Sequence, residues 1–152
     1  MEITAFIILR IVLAWMFLYP LKALLSDWKE TLNLVSLVSS FATKYFAVLM
    51  ILAMIIGSIS ILFGIYAQIG ATILLIYSLI GIAVHYKLSQ KIAKESLSNT
   101  ATQKDQDVLS ETKQLGIVGN ITSAQKNIVI AAALLFIALI GSGPYSITTN
   151  LF

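Results

Sequence analysis

Cysteine is absent from this chain, histidine occurs once and proline twice. Without cysteine there is no disulfide, no thiolate metal site and no dithiol relay within the chain. A single histidine cannot supply both axial ligands of a bis-histidine haem. The long apolar runs hold no carboxylate to join it, so no metal site is expected. Charge is scarce as well: Asp, Glu, Lys and Arg make up 11% of the residues, where a soluble domain carries roughly 25%. No basic stripe interleaves with aromatics, so nucleic acid is not an expected partner. Nor is there a glycine-rich phosphate loop, a pair of acids or a Ser-His-Asp set. Any catalysis therefore requires a partner or a bound cofactor, none is expected to be attached covalently, and an enzyme acting on its own is not expected.

What is abundant is apolar surface, with 59% hydrophobic residues. A soluble fold of that composition would expose large apolar patches and aggregate, which makes the lipid bilayer the expected surroundings. A helix needs about 20 apolar residues to cross a hydrocarbon core of roughly 30 Å. Four stretches meet or approach this, at about 3–25, 45–67, 69–88 and 126–143. The first reads as a retained anchor, because Met1-Glu2 lacks the positive region of a signal peptide and no small-x-small cleavage site follows. The expectation is an all-α, integral membrane four-helix bundle forming a single membrane domain over 1–152. Leu34, Leu37, Val38, Phe41 and Tyr45 recur at helical spacing after the first span and read as a short amphipathic, interfacial segment. Residues 89–119 read as a polar, mostly mobile loop between the third and fourth helices. Lysines cluster in the connections 26–44 and 89–119, which the positive-inside rule places in the cytoplasm.

Lipid gives helices no hydrophobic reason to associate, so small residues mark their seams. Ala53, Gly57, Ser60 and Gly64 repeat along one face of the second helix, Ala71, Ser78 and Gly81 share a face with His85 on the third, and Ala131, Ala138 and Ser142 share one on the fourth. Arg10 lies roughly 10 Å inside the first helix at about 1.5 Å per residue. A charge there costs around 2.5–3.5 kcal/mol on insertion scales, so it either snorkels toward the helix N-terminus or marks an interior site. Chain direction brings His85 to the same membrane side as Tyr19, Lys22, Trp28 and Lys126, which together form the candidate pocket. Trp15, Trp28, Tyr19, Tyr86 and Tyr145 read as interfacial belts.

The ordered set Leu9-Arg10, Phe17-Leu18-Tyr19, Lys22, Gly57, Leu62 to Gln68, Ala71, His85, Gln125-Lys126-Asn127 and Gly141 to Ser146 resembles the DoxX-like family of four-helix membrane proteins. The likeness covers the spans and omits the polar loop. Two positions depart from the family pattern. Met54 and its apolar neighbours stand where a carboxylate is frequent before Gly57, and Gln68 stands where the hairpin commonly has a basic residue. The resemblance implies a redox setting of the thiosulfate:quinone oxidoreductase kind, in a prokaryotic cytoplasmic (inner) membrane. The first expected role is a non-catalytic membrane subunit or anchor of a redox or respiratory complex, with other membrane subunits as partners. An alternative is a quinone-interacting subunit with quinone as cofactor, its ring held by aromatics and His85. A small transporter or lipid-binding protein is a further alternative, although no inverted repeat is visible.

Overall fold

A computed structural model describes residues 2–98, 100–141, 143 and 145–148. Its helices are α1 (Glu2–Leu18), α2 (Leu21–Ser26), α3 (Trp28–Ser36), α4 (Thr43–Phe63), α5 (Ala67–Ala93) and α6 (Gln103–Ile140). Four spans among them, Thr4–Ser26, Thr43–Phe63, Ala67–Ala93 and part of Gln103–Ile140, are long and apolar enough to cross a membrane. The protein is an all-helical integral membrane bundle. Among the described residues there is no strand.

Each interruption has a local cause. The first span breaks at Tyr19-Pro20 because the proline ring displaces the carbonyl one turn back and supplies no N–H. Asp27 then caps α3 by accepting a hydrogen bond from the Glu30 N–H at 3.0 Å. This places the interfacial helix at 28–36, upstream of the expected Leu34–Tyr45 periodicity. Beyond Ser36 the Ser and Thr hydroxyls bond the backbone locally, Ser39 to the Phe41 carbonyl and Thr43 to that of Ser39, in competition with helix. Phe41 and Tyr45 consequently stand exposed, whereas Thr31 and Val35 are buried.

The turn from α4 to α5 is a Schellman arrangement. The Ile65 N–H donates to the Ser60 carbonyl at 2.9 Å and the Gly64 N–H to that of Ile61 at 3.3 Å. Gly64 takes φ +66°, and a Cβ there would lie 2.8 Å from Ser146 Cα. It is thus a cap glycine under the C-terminal tail as much as a seam residue. Gly57 does form a seam: its Cβ position lies 2.6 Å from Leu74 Cγ on α5. Ser60 packs on Gly70, and Ala53 is half-buried on the same helix. Between these faces Leu13, Phe17, Met54, Ile61, Ala71, Leu74, Leu134 and Ile137 belong to one buried cluster.

The expected polar loop at 89–119 is mostly helix. Only residues 94–102 separate α5 from α6, which runs for 38 residues. At about 1.5 Å per residue α6 is about 57 Å long, well beyond a hydrocarbon core of roughly 30 Å. Thr102 and Asp105 form a reciprocal capping box at its start. Leu109, Gly116, Asn120, Ala124, Asn127 and Ala131 then follow one face, all half-buried or buried, and Ile92 of α5 lies 3.2 Å from the Cβ position of Gly116. Lys113 closes the hairpin by donating to the Glu95 carbonyl at 2.8 Å. Composition alone suggested mobility, but an antiparallel partner orders the segment. The fourth helix ends at Ile140, and Ser142 and Pro144 lie outside the described residues.

Thr102→Ala removes one side of the capping box and is expected to cost the outer part of α6 about 1 kcal/mol. Amide hydrogen exchange in detergent checks this. Faster exchange confined to the first turns of α6 is the expected result, and unchanged exchange there would refute the cap.

Candidate functional site

Two polar centres stand inside the bundle, one toward each membrane face. The first is Arg10, only 4% exposed. Its Nε donates to the Ile61 carbonyl at 2.8 Å and Nη2 to that of Leu62 at 2.7 Å, while Nη1 lies 3.4 Å from the Tyr145 carbonyl. Arg10 does not reach outward to water. It turns inward to the C-terminal end of α4, where the last carbonyls lack helix partners and the dipole is negative. The C-terminal tail seals this corner. Ile147 and Thr148 donate backbone N–H groups to Phe63 and Gly64, and Thr148 Oγ1 accepts from the Tyr66 N–H at 2.8 Å. Phe6 fills the space that a Cβ on Gly143 would need. Arg10 is thereby a structural clamp joining α1, the end of α4 and the tail.

The second centre is a cavity of about 460 Å³ in the opposite half of the bundle. Its walls come from the α1–α2 break (Phe17, Pro20, Leu24), α3 (Thr31, Leu34, Val35), α4 (Phe46, Met50, Met54), α5 (Tyr77, Gly81, His85) and α6 (Asn127, Ile130). Phe17 and Tyr77 meet edge to face, with ring centroids 5.7 Å apart. Asn127 Nδ2 lies 2.7 Å from where a Cβ on Gly81 would stand, so Gly81 provides the notch that seats the asparagine. Thr31 spends its hydroxyl on the Leu24 carbonyl at 2.8 Å, tying α3 to α2.

His85 is held from one side. Its Nδ1 lies 3.0 Å from Asn120 Oδ1 on α6, and Asn120 Nδ2 donates to the Gly116 carbonyl at 2.9 Å. No carboxylate among the described residues lines the cavity. Among the described residues no three His, Cys, Asp or Glu side chains gather as a metal site.

Of the five residues expected to share a pocket, His85 alone lines this one. Tyr19 is 73% exposed and stacks loosely on Trp15, and Lys22 and Lys126 point away from the bundle. Trp28 is half-buried at the start of α3 but outside the lining. Sharing a membrane side does not imply sharing a helix face, and Tyr19, Lys22 and Lys126 occupy outward faces. Sequence reading passed over Asn127 and Tyr77. Their signal was present: Asn127 is one α6 face position, seven residues, beyond Asn120, and Tyr77 lies eight residues before His85 on α5.

A family model described as DoxX matches residues 5–87 of the chain. The matched span covers α1 to most of α5 and stops before Asn120 and Asn127. No curated protein and no solved structure matches the chain.

Arg10→Leu leaves the Leu62 carbonyl without a donor in an apolar setting, at about 1–3 kcal/mol, and leaves Ile61 with only the 3.3 Å bond from the Gly64 N–H. Thermal unfolding in detergent should show a large loss of stability. Arg10→Lys, which keeps the charge but loses the forked donor geometry, should recover only part of it. Wild-type stability in Arg10→Leu would refute the clamp.

Proposed function

The chain belongs to the DoxX family, and we propose that it is a non-catalytic membrane subunit of a redox assembly that holds a quinone-type ring in the cavity around His85. The observation that carries this reading is the lining itself: apolar and aromatic on nearly all sides, with a few polar side chains converging from α5 and α6. That combination suits a lipid-soluble ring bearing one or two polar substituents, and the volume lies within the range of small-molecule sites. Neither Tyr77 Oη nor the Asn127 amide has a hydrogen-bond partner within the described chain, so each remains for a ligand. Met16, Phe46 and Ile80 belong both to the lining and to the exposed surface, which favours entry from the bilayer.

The electron chemistry of such a group belongs to the quinone itself when bound. This chain's residues supply the apolar walls, the orientation of the ring and the exclusion of water. A partner subunit fits the part of α6 that overreaches the bilayer, where Val108, Leu115 and Val118 stand exposed. The lysine distribution supports an extension that faces the cytoplasm.

Binding of a decyl-substituted benzoquinol, the hydroxyl-bearing form of such a ring, to the protein in nanodiscs tests the site. His85→Ala and Asn127→Leu are each expected to weaken binding roughly tenfold, the scale of one lost hydrogen bond in an apolar pocket. Lys126→Ala should leave it unchanged. Equal affinities for all four proteins would remove the cavity from consideration. Purification in mild detergent should retain a second subunit, and a lone chain from native membranes would count against the assembly.

A further inference from the structure

The hydrogen bonds around His85 fix more than its position. An asparagine amide is ambiguous alone, but the Gly116 carbonyl accepts only from a donor, so Asn120 must turn Nδ2 toward it. Asn120 Oδ1 therefore faces His85 Nδ1, at 3.0 Å, and can only accept. In the neutral ring the proton must reside on Nδ1, and Nε2 carries the lone pair. No other hydrogen bond to the His85 ring exists among the described residues. The ring lines the cavity, and its one uncommitted nitrogen is an acceptor.

We propose that Asn120 is a positioning residue that locks His85 in its Nδ1–H form, and that the cavity consequently selects a ring with a hydrogen-bond-donating hydroxyl over the same ring with a carbonyl or a methyl ether. This rests on the cavity being the quinone-type site, and it names which form fits. A quinol hydroxyl donates to Nε2, whereas a quinone carbonyl would set two lone pairs against each other. Asn120 lies two turns along α6 from Asn127 and outside the DoxX match, so this selectivity belongs to the α5–α6 pairing of this chain. Gly116 is part of the device through its carbonyl, and its missing Cβ lets Ile92 approach within van der Waals range.

The chain has one histidine, so ¹⁵N-histidine labelling gives a single imidazole whose two nitrogen shifts read the tautomer directly. Spectra of the full protein in nanodiscs at alkaline pH should show a protonated Nδ1 and an unprotonated Nε2. A protonated Nε2 would overturn the proposal. Asn120→Leu should release the ring toward the Nε2–H form, while Asn120→Asp, which keeps an acceptor, should retain Nδ1–H. An unchanged tautomer in Asn120→Leu would overturn the role of Asn120, and the wild-type spectrum decides the assignment even if that variant does not fold. Binding of a decyl-substituted benzoquinol should exceed that of its bis-methyl ether and of the parent benzoquinone by roughly tenfold in wild type. That preference should vanish in Asn120→Leu. Equal binding of the three probes overturns the selectivity. The locked tautomer with no binding of any probe instead overturns the cavity reading and leaves the assignment of Asn120 standing.

Discussion

Backbone carbonyls cannot be left bare in hydrocarbon, and the bundle is organised around that constraint at the end of α4. The last carbonyls of a helix have no partner within it, and water is not at hand inside the bilayer to replace one. Arg10 supplies the donors from the neighbouring helix, in a fork that reaches Ile61 and Leu62 together. The carbonyls accept hydrogen bonds from the guanidinium and thereby reduce the cost of burying its charge, so two costs offset each other. The glycine cap at Gly64 and the tail that lies across it leave little alternative register for α1 against α4. Once that corner is set, the level of every residue on the opposite side follows.

The opposite side is built differently. There the first span breaks at Pro20, α3 lies across the bundle, and the helices leave a space between them. Small residues set how closely the walls approach: Gly57 admits Leu74, and Gly81 admits the Asn127 side chain. The first contact closes the bundle and the second keeps an amide within the cavity. A seam and a site thus use the same residue type, for reasons that only the facing side chain distinguishes.

The long α5–α6 hairpin connects membrane and exterior in one rigid pair. Its outer half is held by a capping box, the Lys113 bond to Glu95 and the Ile92–Gly116 contact. Its inner half carries Asn120 and Asn127 to the cavity. Whatever docks on the outer turns would therefore act on the same helix that orients His85.

Much of this architecture was legible before any coordinates. Four apolar runs of spanning length follow from hydropathy, a local property, whereas the break at Pro20 and the capping role of Gly64, which the sequence marked only as a seam residue, came with the structure. The pairing of Thr102 and Asp105 across the start of α6 was equally local, but a polar composition masked it. What the tertiary structure decided was which polar side chains meet. Periodicity assigns a residue to a face of its own helix, whereas the rotation and height of that helix against its neighbours depend on packing along the whole length. For that reason Tyr19, Lys22 and Lys126 fell outside the cavity, Asn127 and Tyr77 fell within it, and Arg10 turned inward to carbonyls some fifty residues away in the chain.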